Sequence, residues 1–299
     1  MPADLFDRYR RGDRRALSRL LTLAARGERL AEIDALLAGL PVPSTDAKAR
    51  VFAFTGSAGV GKSSLIGGLV KAIRRAGETV AVLACDPQSP LSGGALLGDA
   101  FRIGATDDLG VFIRSLATPG GQGGLADHLD AMLRLLAGFG FQRLFIETVG
   151  SGQGDTTARF LADVVVLLLQ PHAGDELQWE KAGVLEIADV VVVHKSDLPG
   201  AEQVAADLRS TLARPVPVLL ASSSAGKGID ELWSALADLP RRPHVADLWP
   251  LVERELERRR DRAASSPEWR DLIARWRTSR ITSAEAVAEA LVLLHAEFE

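Results

Sequence analysis

From Arg50 onward, short runs rich in β-branched and aromatic residues alternate with helical segments. The runs are "VFAFTG", "TVAVLACD", "VFIRS", "RLFIETVG", "DVVVLLLQ", "DVVVVHKSD" and "PVPVLLASS". Strands that alternate with helices predict an α/β fold with a mostly parallel sheet covered on both faces, because a crossover between parallel strands needs a helix. Before this region, residues 4 to about 39 carry apolar positions at helical spacing: Leu5, Leu17, Leu20, Leu21, Leu23, Ile33, Leu36 and Leu37. The "GERL" inside that stretch predicts a break into two helices, and the glycine and prolines of "GLPVPST" (39–45) read as a linker. After "LPRRPH" (239–244) the pattern is helical to the end, with Trp249, Trp269 and Trp276 available for packing. The expected organisation is therefore an N-terminal helical extension (1–45), an α/β domain (46–240) and a C-terminal helical arm (241–299).

Composition narrows the function classes. Hydrophobic residues make up 47% of the 299 positions and charged residues 25%, which is enough apolar material for a substantial core. A net charge of -4 gives no basic footprint, so nucleic acid is not an expected partner. The basic run "ERELERRRDR" (253–262) interleaves its charges and reads as a solvated helix face. Cys85 is the single cysteine, so no internal disulfide and no cysteine zinc cluster is expected. The opening "MPADLFDRYRRGDRR" has no apolar signal core, and no apolar run approaches the length of a membrane span. The expectation is a cytoplasmic protein without membrane contact.

The chemistry begins with "FTGSAGVGKSSL" (54–65), which fits G-x-x-x-x-G-K-[ST] between a strand and a helix. Gly56, Ser57, Ala58, Gly59, Val60 and Gly61 supply backbone that can turn its N–H groups inward around phosphate oxygens. Lys62, Ser63 and Ser64 then open a helix whose N-terminus favours negative charge. Lys62 is expected between the β- and γ-phosphates, and the Ser63 hydroxyl on Mg²⁺. Acidic residues follow at strand ends: Asp86 in "CDPQSP", Asp99 in "GGALLGDA" and Glu147 in "FIETVG". Mg²⁺ bound to a nucleotide needs few protein carboxylates, and a strand-end carboxylate opposite the phosphate loop is the usual supplier. Gly150 lets the backbone approach a γ-phosphate, so that its loop can respond to hydrolysis. No evident arginine finger accompanies these motifs.

The run "VVVHKSD" (191–197) places a guanine-reading pattern at a strand end, with His194 where Asn is usual. Asp197 can accept from guanine N1–H and the 2-amino group, a paired contact that adenine does not offer. An imidazole N–H at His194 could replace the Asn donor to base N7, and Lys195 is expected along the base. Small residues in "ASSSAGKG" (221–228), including Ser222, Ser223 and Ser224, leave room for a backbone N–H to meet the base oxygen.

Taken in order, "GSAGVGKSS", "DPQSPLSGGALLGD", "FIETVGSGQGD", "PHAGDELQWEKAGVLEIADVVVVHKSD" and "SSSAGKGIDELW" resemble successive blocks of the MeaB/ArgK family, G proteins associated with methylmalonyl-CoA mutase. The helical "GDRRALSRLLTLAARG" (12–27) is similar to the family's N-terminal helix. The resemblance implies a P-loop G domain with helical extensions that assist homodimerisation. It also implies a GTP/GDP-cycling, Mg²⁺-dependent chaperone that gates cofactor loading of an adenosylcobalamin-dependent acyl-CoA mutase and protects or reactivates it. It places Asp86, Asp99 and Glu147 at the Mg²⁺ and switch positions. It makes "AGDELQ" (173–178) with Lys181 a loop that relays nucleotide state to the mutase. This chain differs from the family pattern at His194, in "AFR" (100–102) where Lys-Thr-Arg is usual, and in a short C-terminal arm. Two other functions share the architecture: a kinase acting on periplasmic binding proteins, and a metal-insertion GTPase of nickel enzymes. The first needs an acceptor-orienting loop and the second a His- or Cys-rich tract, and neither motif is evident.

Overall fold

The computed structural model describes residues 2–40, 49–87, 108–118, 128–148, 160–171, 185, 187–212, 215–241, 252, 256, 259–260 and 263–295. The chain opens with α1 (Pro2–Arg10), α2 (Arg14–Ala25) and α3 (Leu30–Ala38). The expected break at "GERL" is present, but the periodic stretch also breaks at Gly12, whose φ is 78°. Asp13 then caps α2, its Oδ1 accepting from Arg15 N at 2.8 Å and Ala16 N at 3.2 Å. These bonds satisfy two donors that a helix start leaves unpaired. An apolar period does not reveal such a cap, because the capping residue is polar and lies outside the repeat.

The seven runs expected as strands are the seven strands observed: β1 (Arg50–Thr55), β2 (Val80–Pro87), β3 (Val111–Thr118), β4 (Arg143–Glu147), β5 (Val164–Leu169), β6 (Val190–His194) and β7 (Val218–Ala221). They form one sheet in the order β3-β2-β4-β1-β5-β6-β7. Every pairing in it is parallel. Helix α4 (Lys62–Arg75) leads from β1 towards β2, and α5 (Leu129–Phe139) precedes β4. Helices α6 (Ala201–Thr211) and α7 (Ile229–Asp238) flank β7 in sequence.

Alternation along each strand divides the core. Phe52, Phe54, Val82 and Phe145 face α4 and α7, where Trp233 packs among them. Ala53, Leu83, Leu144 and Ile146 lie in a second cluster with α2 and α5. Helix α6 covers Leu167, Leu169, Val191 and Val193. Leu17, Leu20 and Leu21 of α2 are fully buried, each stabilising the fold by about 1.5–3 kcal/mol. Tyr9 of α1 donates its hydroxyl to the Leu135 carbonyl of α5 at 2.7 Å. The N-terminal helices thus belong to the core of the sheet domain rather than forming a separate body.

The strand order is pinned at the opposite sheet edge by two aspartates within a repeated "ADVVV". Asp163 accepts from Val51 N at 2.8 Å through Oδ2, and Asp189 accepts from Val165 N at 2.7 Å in the same way. Each lies just before its own strand and holds the neighbouring earlier strand near its first residues, which fixes the stagger from β1 to β5 to β6.

The chain divides into two compact units, Met1–Arg242 and Pro243–Glu299. In the second, α8 (Pro267–Arg277) packs on α9 (Ser283–His295) around the buried Leu272. Arg275 joins Asp271 at 2.9 Å and also pairs with Glu289 across the two helices. Trp276 remains 45% exposed. Trp249 lies outside the described residues. Among the described residues, no helix is long and apolar enough to cross a membrane.

Candidate functional site

Parallel pairing puts every strand's carboxyl end on one edge, and the centre of that edge is where β1 passes into α4. The turn between them, residues 56–61, is fixed by glycine at the two points of closest approach. A Cβ on Gly56, whose φ is 142°, would lie 2.4 Å from the Leu168 carbonyl of β5. One on Gly61, with φ 101°, would lie 2.5 Å from the His194 ring. Only glycine fits either place. The loop therefore rests directly on β5 and on the end of β6.

Lys62 begins α4 and is 7% exposed. Its Nζ donates to the carbonyls of Gly56 at 2.8 Å and Ser57 at 3.2 Å, so the ammonium lies across the mouth of the loop. Ser63, the next residue, donates its hydroxyl to Glu147 Oε1 at 2.5 Å. Glu147 ends β4 and is 2% exposed, in register with Phe54 of β1 and Ala84 of β2. The structure thus joins two residues 84 positions apart that the sequence places separately on a helix start and a strand end. A hydroxyl and a carboxylate are hard oxygen donors, a set that suits Mg²⁺ taking its remaining ligands from water and phosphate. Among the described residues, no group of three or more His, Cys, Asp or Glu forms a metal cluster. Asp86 is the penultimate residue of β2, with its backbone in register with Ala117. Asp99, Gly150 and the 173–181 loop lie outside the described residues.

The base-side loops close onto the same turn. His194 ends β6 and is 3% exposed. Its Nδ1 lies 2.8 Å from the Val60 carbonyl, and its Nε2 lies 2.8 Å from Ser223 Oγ. A carbonyl only accepts, so Nδ1 carries the hydrogen, and Nε2 of the neutral ring accepts from the Ser223 hydroxyl. The donor expected for base N7 is engaged with protein on both sides. Burial holds the imidazole below its ordinary pKa of 6.5, with the Val60 bond opposing that shift.

A folded pKa below the unfolded one means that the unfolded chain takes up the proton more readily. The contribution to stability is full above the ordinary value of 6.5 and declines as pH falls below it. His194→Asn removes this titration. The fall in Tm between about pH 7.5 and about pH 5.5 should therefore be smaller in that variant than in the wild type.

Lys195 adopts a left-handed φ of 57°. That turns its side chain back, so that Nζ donates to the Gly59 carbonyl and to Gln170 Oε1, both at 2.9 Å. Gln170 follows β5 directly, and sequence reasoning missed it because a lone glutamine after an apolar strand carries no motif. Asp197 is held by hydroxyls: Ser222 donates to Oδ1, and Ser224 to Oδ2 at 3.4 Å. The Ser222 bond is the main reason that the carboxyl sits below the ordinary carboxylate pKa. The serine loop keeps its shape through reciprocal bonds between Ser222 and Lys227, N to O at 2.9 and 3.0 Å. The sequence-predicted residues from 56 to 64, together with Glu147, His194, Lys195, Asp197 and 222–224, thus occupy one edge of the sheet.

The chain matches the family described as methylmalonyl Co-A mutase-associated GTPase MeaB over residues 17–274. It is 39% identical over 246 residues to a Pyrococcus horikoshii protein named as a GTPase, covering 79% of this chain and 76% of that one. It is 38% identical over 207 residues to a Nocardia farcinica protein named fused isobutyryl-CoA mutase, covering 68% of this chain and 19% of that one. Among solved structures, a LAO/AO transport system kinase superposes with a TM-score of 0.64 at 20% identity. That superposition covers 98% of this chain and 97% of the kinase, and it bears on the fold alone.

Proposed function

Because the chain belongs to the family of methylmalonyl Co-A mutase-associated GTPases, we propose that it is the GTP-driven chaperone of an adenosylcobalamin-dependent acyl-CoA mutase. In this role it gates cofactor loading and protects or reactivates the loaded enzyme. The observation that carries the reading is the convergence of Lys62, the Ser63–Glu147 pair and the Asp197 carboxylate on one sheet edge. Lys62 binds the β- and γ-phosphates, and backbone N–H groups of 57–63 take the remaining phosphate charge at the N-terminus of α4. Ser63 and Glu147 hold Mg²⁺, with Asp86 and Asp99 as further acidic contributors. When bound, the ion neutralises charge developing on the phosphates. Asp197 selects guanine, and Lys195 keeps the base loop against the phosphate loop.

Intrinsic turnover should be slow, well below about one per second, since positioning without an inserted arginine gives rates of that order. Gly150 and the loop 173–181, with Asp175 and Lys181, carry the nucleotide state outward. The C-terminal helices make the chain a homodimer, and the setting is cytoplasmic. That a Nocardia relative is named as a fused mutase supports a mutase as the partner, since fusion keeps two cooperating chains together.

The cycle acts on a partner only if the two nucleotide forms bind it unequally. The GTP-analogue and GDP forms should therefore differ by about tenfold in affinity for the mutase, as for a coupling near 1.4 kcal/mol. The mutase should also accelerate release of free phosphate. Equal affinities, and unchanged hydrolysis with every cobalamin-dependent acyl-CoA mutase of the same cell, would remove this function. Phosphate transferred to a second protein would instead favour a kinase.

A further inference from the structure

The phosphate loop and the serine loop both leave the carboxyl edge of the sheet, and His194 touches both at once. Its Nδ1 bonds the Val60 carbonyl inside the phosphate loop, and its Nε2 bonds Ser223 inside the serine loop. The ring fills the space that Gly61 leaves by lacking a Cβ. It is 3% exposed, so little of it is open to a ligand.

The hydrogen inventory then decides what this position can do. The Asn usual at this place carries two hydrogens on one nitrogen, so one can hold a loop carbonyl while the other reaches base N7. A neutral imidazole carries one hydrogen in total, and here the Val60 carbonyl takes it. The second ring nitrogen presents a lone pair, which repels the lone pair of N7 rather than bonding it, and Ser223 already occupies it.

We infer that His194 is a positioning residue that clamps the phosphate loop to the serine loop, and that this site reads guanine without sensing base N7. Recognition then rests on Asp197, whose two carboxylate oxygens face the 1 and 2 positions of the base. This inference rests on the guanine-nucleotide reading above and concerns the edge of the base that is read.

The test compares GDP with 7-deaza-GDP, in which a C–H replaces N7, by calorimetry on the wild-type protein. IDP, which lacks the 2-amino group, serves as the control for the Asp197 edge. GDP and 7-deaza-GDP should bind within about twofold of each other, while IDP binds at least about fivefold more weakly, the scale of one net hydrogen bond. His194→Asn should restore the second hydrogen and open a gap of about fivefold between GDP and 7-deaza-GDP. A wild-type preference of about fivefold or more for GDP over 7-deaza-GDP overturns the inference. If GDP, IDP and ADP all bind alike, it is the guanine reading itself that fails. The wild-type comparison stands even if the variant does not fold.

Discussion

Replacing Lys62 with alanine should weaken nucleotide binding and lower GTP turnover by at least about a hundredfold, the scale of rate lost when a preorganised donor to developing charge is removed. The ammonium is held across the mouth of the 56–61 turn by the Gly56 and Ser57 carbonyls at 2.8 and 3.2 Å. Backbone N–H groups remain in the variant, but they carry partial charges, while the lysine contributes a full one in a place that excludes most water. The fold should survive, because Lys62 opens α4 and alanine has the highest helix propensity. Phosphate release and nucleotide titration, with circular dichroism as the control for folding, check this result. Turnover at the wild-type level with intact structure would show that the glycine-rich turn is not the phosphate site.

The strands and the phosphate turn are legible in the sequence for different reasons. The strands are legible because a parallel sheet covered on both faces leaves dense apolar runs such as Val164–Leu169, whose positions are all buried. The turn is legible because Gly56 and Gly61 are demanded by the close approach of the Leu168 carbonyl and of the His194 ring, so the glycine spacing is itself the signal. What stayed hidden depends on which polar side chains meet across long loops. The Asp13 cap, the strand-staggering Asp163 and Asp189, and Gln170 against Lys195 are single polar residues without periodicity. His194 shows the limit most directly. Its place after an apolar strand marks it as a base-loop residue, yet only the positions of Val60 and Ser223 reveal that both ring nitrogens are engaged.

Asp197→Asn should turn a guanine site into one that prefers xanthine. In the wild type the two carboxylate oxygens are oriented by hydroxyls, Ser222 on one and Ser224 on the other. The Ser222 bond is the main factor holding the carboxyl below its ordinary pKa, so it is ionised and accepts only. Guanine offers two donors on the matching edge, N1–H and the 2-amino group. Asparagine keeps one acceptor oxygen for N1–H but sets an N–H against the 2-amino group, donor against donor. Xanthine carries a carbonyl at that place and accepts from the new amide. Because each mismatch leaves polar groups of the bound base unpaired, GTP affinity should fall by about a hundredfold or more while XTP gains a comparable factor. The amide is isosteric with the carboxylate, and Asp197 is exposed, so Tm should change little. Competition between GTP and XTP in both proteins measures the exchange. A variant that still prefers GTP over XTP would place the base-reading carboxylate elsewhere on this edge.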